Sequence, residues 1–233
     1  MSVAIIDVDG TLLTGPRSSE ALFIRYLLRH GLLGSRQICA AAWFMARHGL
    51  AYGRHAFRKN KAYLAGLKLA DIAAIAETFT AEELEPILDR ALLRRMEEHR
   101  AAGAQIMLLT GTPDFITAPL ARLVRADGWR GARYAVRDGV FQAALPIEHP
   151  LGADKIAAAA ALCEEAGTRL HDATAYADSA HDLPLLMEVR CPVVVRPDDR
   201  LRAEAKARGW EIMNPAAPDS DPRIPQGRPI HGQ

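Results

Sequence analysis

Asp7 and Asp9, one residue apart and followed by Gly10 and Thr11, stand directly after a short apolar run, Val3 to Ile6. Two carboxylates this close repel each other unless a cation or a shared proton relieves them, so the pair suits metal binding or acid–base work. A strand-ending turn is the plain alternative, because Asp and Gly are common there. A second stretch, Thr110-Gly111-Thr112-Pro113, places a hydroxyl and a glycine where a helix is expected to begin. Free N–H groups at a helix start bind anions, and an ordinary cap accounts for the same residues. Lys155 is the only lysine between Lys68 and Lys206 and opens the run ADKIAAAAAL, where the helix dipole mildly opposes a cation. Pairing with phosphate or carboxylates explains that placement, as does an exposed helix lysine. In Asp178-Ser179-Ala180-His181-Asp182 the two acids are four residues apart, a spacing that turns both toward one cavity and suits an oxygen-ligand cation site. Asp178 also serves as a helix cap in the plain reading, and His181 reads equally as a phosphate-side donor or a surface histidine.

Those residues need a scaffold, and the hydrophobic pattern supplies one. VAII is an apolar strand that ends at Asp7. From Ser18 the period becomes helical, with helices expected over Ser18 to His30, Ser35 to His48, Tyr52 to Ala65, Leu69 to Thr80 and Ala81 to Ala102. Strand and helix then alternate: QIMLLT, a helix over Pro113 to Asp127, ARYAV, VFQAAL, a helix over Ala153 to Ala166, DATAYA, a helix over Leu183 to Val189, CPVVVR, a helix over Asp199 to Arg208, and WEIM. Such alternation argues for a mostly parallel sheet covered on both faces. Residues 214–233 hold five prolines and no apolar period, which reads as an extended tail.

Composition narrows the class. At 233 residues, 49% hydrophobic and 24% charged, the chain suits one generous domain with a modest insertion and excludes disordered, fibrous and disulfide-scaffold classes. The longest apolar run, Ile38 to Ala46, is half the ~18 residues a spanning helix needs, and the N-terminus has no basic leader, so a cytoplasmic protein is expected. Cys39, Cys163 and Cys191 are odd in number and far apart, as reduced buried thiols would be. Net charge is +1, but residues 14–70 carry +9 and the remainder −8. The basic stretch suits either an anionic partner or a solvated helical face. Its lone acid, Glu20, suits an amino group, although an exposed helix-start carboxylate is the preferred reading.

The four chemistry-bearing stretches together resemble the haloacid dehalogenase superfamily of phosphatases. DVDGT is similar to its first motif, Thr110 to its second, Lys155 to its third and ADSAHD to its fourth, in chain order from Val3 to about Met213. The helical insertion, YADSAHDLPLL and PVVVRPDDRLRAEAKARGW resemble the phosphoserine-phosphatase-like branch. The resemblance implies a Rossmann-like α/β core over residues 1–15 and 84–213. It implies an all-helical cap over 16–83 and leaves 214–233 as a Pro-rich tail. It further implies Mg²⁺-dependent hydrolysis of a small phosphomonoester, with Asp7 as nucleophile and Asp9 as general acid and then base. The metal would meet Asp7, the Asp9 backbone carbonyl and Asp178. Gly10, Thr110, the Gly111 N–H and Lys155 would hold phosphate, with Ser179, His181 and Asp182 in support. Gly10-Thr11 stands where phosphoserine phosphatases usually have Ser-Thr, and His181 where they usually have Asn, which counts against phosphoserine itself. A lipid phosphate such as phosphatidylglycerophosphate at a membrane surface, a phosphomutase and a binding module without turnover are the alternatives. No nucleic-acid partner is expected.

Overall fold

The computed structural model describes residues 2–35, 37, 39, 43 and 62–213. Six strands form one parallel sheet in the order β3-β2-β1-β6-β7-β8. They are β1 (Val3–Ile6), β2 (Gln105–Pro113), β3 (Gly128–Ala132), β6 (Thr174–Ala177), β7 (Cys191–Val195) and β8 (Glu211–Met213). All four residues of β1 are buried, as expected of a central strand covered on both faces. Side chains alternate across it: Ala4 and Ile6 join Phe23 and Leu108 in one apolar cluster, while Val3 and Ile5 join Met107, Leu109 and Leu162 in the other. The chain leaves β1 first toward β2 and later toward β6. This reversal creates a crevice beyond the carboxyl end of β1, where ligands bind in open α/β sheets.

The helices are α1 (Ser19–Arg29), α2 (Leu69–Phe79), α3 (Arg90–Ala101), α4 (Asp114–Leu123), α5 (Ala153–Glu165), α6 (Leu183–Glu188) and α7 (Asp199–Arg208). No described helix is long and apolar enough to cross a membrane. Phe23 of α1 meets Phe79 of α2 at 5.1 Å and Phe115 of α4 at 5.4 Å between ring centroids, so the segment between β1 and β2 shares a core with the sheet. The helices expected over Ser35 to His48 and Tyr52 to Ala65 lie mainly outside the described residues, as do the apolar positions Ile38, Ala42 and Met45 at helical spacing and the tail.

Three expectations change. The helix expected over Ala81 to Ala102 is a wide turn at Thr80–Leu84 and a tight one at Glu85–Ile87, and helix resumes only at Arg90. Pro86 has no N–H to continue the ladder. Asp89 then caps α3, its Oδ1 accepting the Leu92 N–H at 2.9 Å. The strand expected at ARYAV lies earlier, at GWRGA. Gly128 packs so closely on β2 that a Cβ there would sit 2.7 Å from the Met107 sulfur. VFQAAL contributes only β5 (Val140–Phe141), paired antiparallel with β4 (Val136–Arg137). Asp138 and Gly139 between them both have positive φ, the geometry of a type I′ hairpin turn. Of the cysteines, Cys163 is buried, whereas Cys39 and Cys191 are exposed.

If α1 is integral to the core, Phe23→Ala should lower the unfolding free energy by roughly 3–5 kcal/mol in urea titrations. A loss below about 1 kcal/mol would show that α1 packs independently of the sheet.

Candidate active site

The loop after β1 extends the sheet by one bond and then turns away. The Asp7 N–H donates to the Tyr176 carbonyl at 3.0 Å, continuing the β1–β6 ladder and delivering the Asp7 side chain to the crevice. Gly10 has φ +85°, and a Cβ there would lie 2.1 Å from Asp178 Oδ2, so both backbone conformation and space require glycine. Thr11 is buried. Its hydroxyl lies 3.1 Å from Asp7 Oδ2 and 3.4 Å from Asp178 Oδ1, and its single proton serves one of them at a time.

Lys155 sits in the first turn of α5 and is 4% exposed, which removes the surface-lysine reading. Its Nζ lies 2.6 Å from Asp7 Oδ1 and 2.7 Å from Asp182 Oδ1. Asp182 reaches this position through a short turn, Ala180–Asp182, in which Ser179 Oγ accepts the His181 N–H at 3.1 Å. Ligand oxygens of Asp7, Asp178 and Asp182 all lie within 4.8 Å of one another. His181 is exposed at the edge of this cavity.

Asp9 faces a different environment. Its Oδ1 accepts the Ser19 N–H at 2.7 Å, and its Oδ2 accepts the Thr112 hydroxyl at 3.1 Å. Ser19 Oγ lies 2.9 Å from Thr112 Oγ1, and the Thr110 hydroxyl donates to Thr112 Oγ1 at 3.0 Å. The strand expected to end at Thr110 runs on through Pro113, and α4 begins at Asp114, one residue past its expected start. Thr110 and Gly111 still line the cavity, beside His149.

The electrostatics follow from burial. Burial pushes the Asp7 carboxyl up to about 7, with Lys155 opposing and the charges of Asp182 and Asp178 adding. Asp178 rises to about 6, through burial and then the Asp182 charge. Asp9 is raised by burial despite the hydrogen bonds from Ser19 and Thr112. Burial pulls the Lys155 ammonium down, but Asp7 and Asp182 outweigh it and the net shift is upward. Three carboxylates around one ammonium leave an excess of negative charge on an all-oxygen donor set, which fits a hard divalent cation such as Mg²⁺.

Glu20 departs from its preferred reading. It is half-buried, lines the same cavity, and accepts hydroxyl protons from Tyr63 at 2.9 Å and Tyr134 at 2.7 Å. Burial and then the Glu20 charge hold both phenols well above their usual range, so they remain donors. Sequence reasoning also passed over Ser19, Thr112 and His149. Thr112 alone left a signal, since it lies two residues from Thr110 on the same face of a strand.

The family model for haloacid dehalogenase-like hydrolases matches residues 4–187. Phosphoserine phosphatase SerB1 of Mycobacterium tuberculosis is 32% identical, over 91% of this chain and 70% of its own length. Histidinol-phosphatase of Neisseria meningitidis serogroup C is 28% identical, over 91% of this chain and 98% of its own. Among solved structures, a protein of unknown function from Bordetella pertussis Tohama I superposes with a TM-score of 0.76 at 27% identity. That match covers 91% of this chain and 97% of the other.

Asp178 has a higher proton affinity folded than at its ordinary value of 3.8, so the metal-free fold loses stability as pH rises from about 4 through 6. Asp178→Asn should therefore melt higher than the parent at pH 8 without metal, by about 1 kcal/mol or ~2–4 °C, with the gap closing near pH 4. Equal melting curves at pH 8 would refute the electrostatic strain.

Proposed function

The chain belongs to the haloacid dehalogenase-like hydrolases and is a phosphoric monoester hydrolase, and from that premise we propose that it cleaves a small soluble phosphomonoester through an aspartyl-phosphate on Asp7. The observation that carries this reading is the cluster of Asp7, Asp178 and Asp182 within 4.8 Å of one another beyond the central strand, with Lys155 paired to Asp7 and Asp182 and Asp9 held apart.

In this reading an Asp7 carboxylate oxygen attacks phosphorus as the ester P–O bond breaks, and Asp9 gives its proton to the departing oxygen. Asp9 then takes a proton from the water that attacks phosphorus. Inorganic phosphate leaves and Asp7 is restored. The two neighbouring acids divide these roles through their surroundings. Burial raises both acids, but Asp7 has the Lys155 ammonium against it to oppose that rise and favour the ionised nucleophile, whereas Asp9 is opposed only by the neutral donors Ser19 and Thr112. Lys155, Thr110, Gly10 and the Gly111 N–H bind the phosphoryl oxygens, where positioning and charge do most of the catalytic work. Asp182 orients Lys155, and Ser179 and His181 border the cavity. Asp7, Asp178 and the Asp9 carbonyl would hold Mg²⁺, with Asp182 beside them. When bound, Mg²⁺ would supply positive charge that stabilises the transferred phosphoryl group.

Residues 16–83 act as the cap over a core of 1–15 and 84–213. Glu20 places a carboxylate from that segment on the wall of a cavity of about 260 Å³, which suits a small substrate bearing a cationic group. The substrates that give SerB1 and the Neisseria enzyme their names each contain an amine.

Asp7→Asn should lower phosphate release by at least about a thousandfold while the protein stays folded, and beryllium fluoride with Mg²⁺ should inhibit the parent as an acyl-phosphate mimic. Turnover by the variant within tenfold of the parent would sink the nucleophile assignment. A release assay over phosphoserine, histidinol phosphate, sugar and nucleotide monophosphates and phosphatidylglycerophosphate vesicles names the class. Preference for the vesicles would overturn the soluble-substrate reading.

A further inference from the structure

The turn that joins β7 to α7 contains none of the four motif stretches, yet it holds both loops that carry the acid cluster. Arg196 has φ +45°, a conformation uncommon for a residue with a side chain, while its N–H still donates to the Met213 carbonyl at 3.1 Å. Its Nη2 donates to the carbonyl oxygens of Gly10 at 2.9 Å and Thr11 at 2.7 Å. Its Nη1 pairs with Asp89, a buried carboxylate whose own N–H donates to the Leu12 carbonyl at 2.9 Å. Two residues on, the Asp198 N–H donates to the Asp178 carbonyl at 2.9 Å, and Asp198 Oδ2 accepts the Ala180 N–H at 2.8 Å. A cap for α7 explains Asp198 Oδ1, which accepts the Leu201 N–H at 2.8 Å, but not these contacts.

We propose that Arg196 and Asp198 are positioning residues that clamp the loop of residues 9–12 against that of 178–180 and so set the separation of the Asp7 and Asp178 carboxylates. Those two acids repel when ionised, and among the described residues the Asp7 N–H bond is the one backbone tie between β1 and β6 beyond their ladder. Thr11 reaches both carboxylates, and Gly10 meets Asp178 closely enough to forbid a Cβ, only while the loops keep this spacing. Constellations of this kind need their geometry held to about half an ångström. A guanidinium suits the task because its planar fork holds two carbonyls and a carboxylate in a fixed, spread geometry, whereas a lysine offers one compact charge on a flexible stem. The clamp's effect on metal and turnover rests on the proposed function, but its hold on the loops does not.

Arg196→Gln alone strands the buried Asp89 charge, so Asp89→Asn/Arg196→Gln is the variant to compare, since asparagine keeps the α3 cap. Ile72→Val controls for lowered stability. Amide exchange in the metal-free double variant should quicken about tenfold or more at Thr11 to Leu13 while core strands keep their protection. With para-nitrophenyl phosphate, the Mg²⁺ concentration for half-maximal release should rise about tenfold with KM changed less than about twofold, and the Mg²⁺-induced rise in Tm should shrink. Arg196→Lys should fall between. Unchanged exchange at Thr11 to Leu13 together with a parental Mg²⁺ shift in Tm would overturn the clamp. A parent that shows no Mg²⁺ response and no phosphate release would instead refute the proposed function, and the exchange rates would still decide the clamp.

Discussion

The Lys155 ammonium, within 2.7 Å of both Asp7 and Asp182, is the charge on which the arrangement of the crevice depends. A buried lysine is costly unless paired, and buried carboxylates are costly for the same reason, so each group is tolerable only in the presence of the other. This mutual requirement reaches well beyond the loop. Lys155 enters from α5, Asp7 from β1 and Asp182 from the turn after β6, so two strands and a helix must dock together before any of these charges is satisfied. The two apolar clusters on either face of the sheet supply the burial that brings them together.

Placing Asp9 two residues beyond Asp7 gives the two carboxylates separate neighbourhoods at little structural expense. Asp7 faces a cation and further acids, and Asp9 faces an amide and a hydroxyl. The amide belongs to Ser19, the first residue of α1, whose N–H has no partner within its own helix. One free donor of the inserted segment is thereby satisfied by a core carboxylate, so the same bond that orients the acid also anchors the start of the segment.

Much of this was legible in the sequence where a residue type was out of place. Two aspartates after an apolar strand, a solitary lysine at a helix start and acids four residues apart each conflict with local preference, and each lies in the crevice. Elements with strong patterns, such as Asp199–Arg208, have the expected bounds. Glu20 was misread because its setting is not local: Tyr63 and Tyr134 lie 43 and 114 residues away, and nothing near Glu20 marks them. Arg196, expected only as the last residue of the strand CPVVVR, carries no local mark for the same reason, its partners being 107 to 186 residues distant. GWRGA has little strand propensity and is a strand because glycine lets β3 approach Met107, a demand of packing that no periodicity reports.

The placement of Glu20 bears on how such a protein diversifies. The groups at the strand ends depend on one another for charge balance, so changing one of them disturbs the rest. Glu20 instead takes its setting from α1, Tyr63 of the segment that follows and Tyr134 near the β4–β5 hairpin, none of which touches the lysine. Substitutions around that carboxylate can redraw what the cavity admits without disturbing the charge balance at the lysine, so new preferences can arise here in small, separately viable steps.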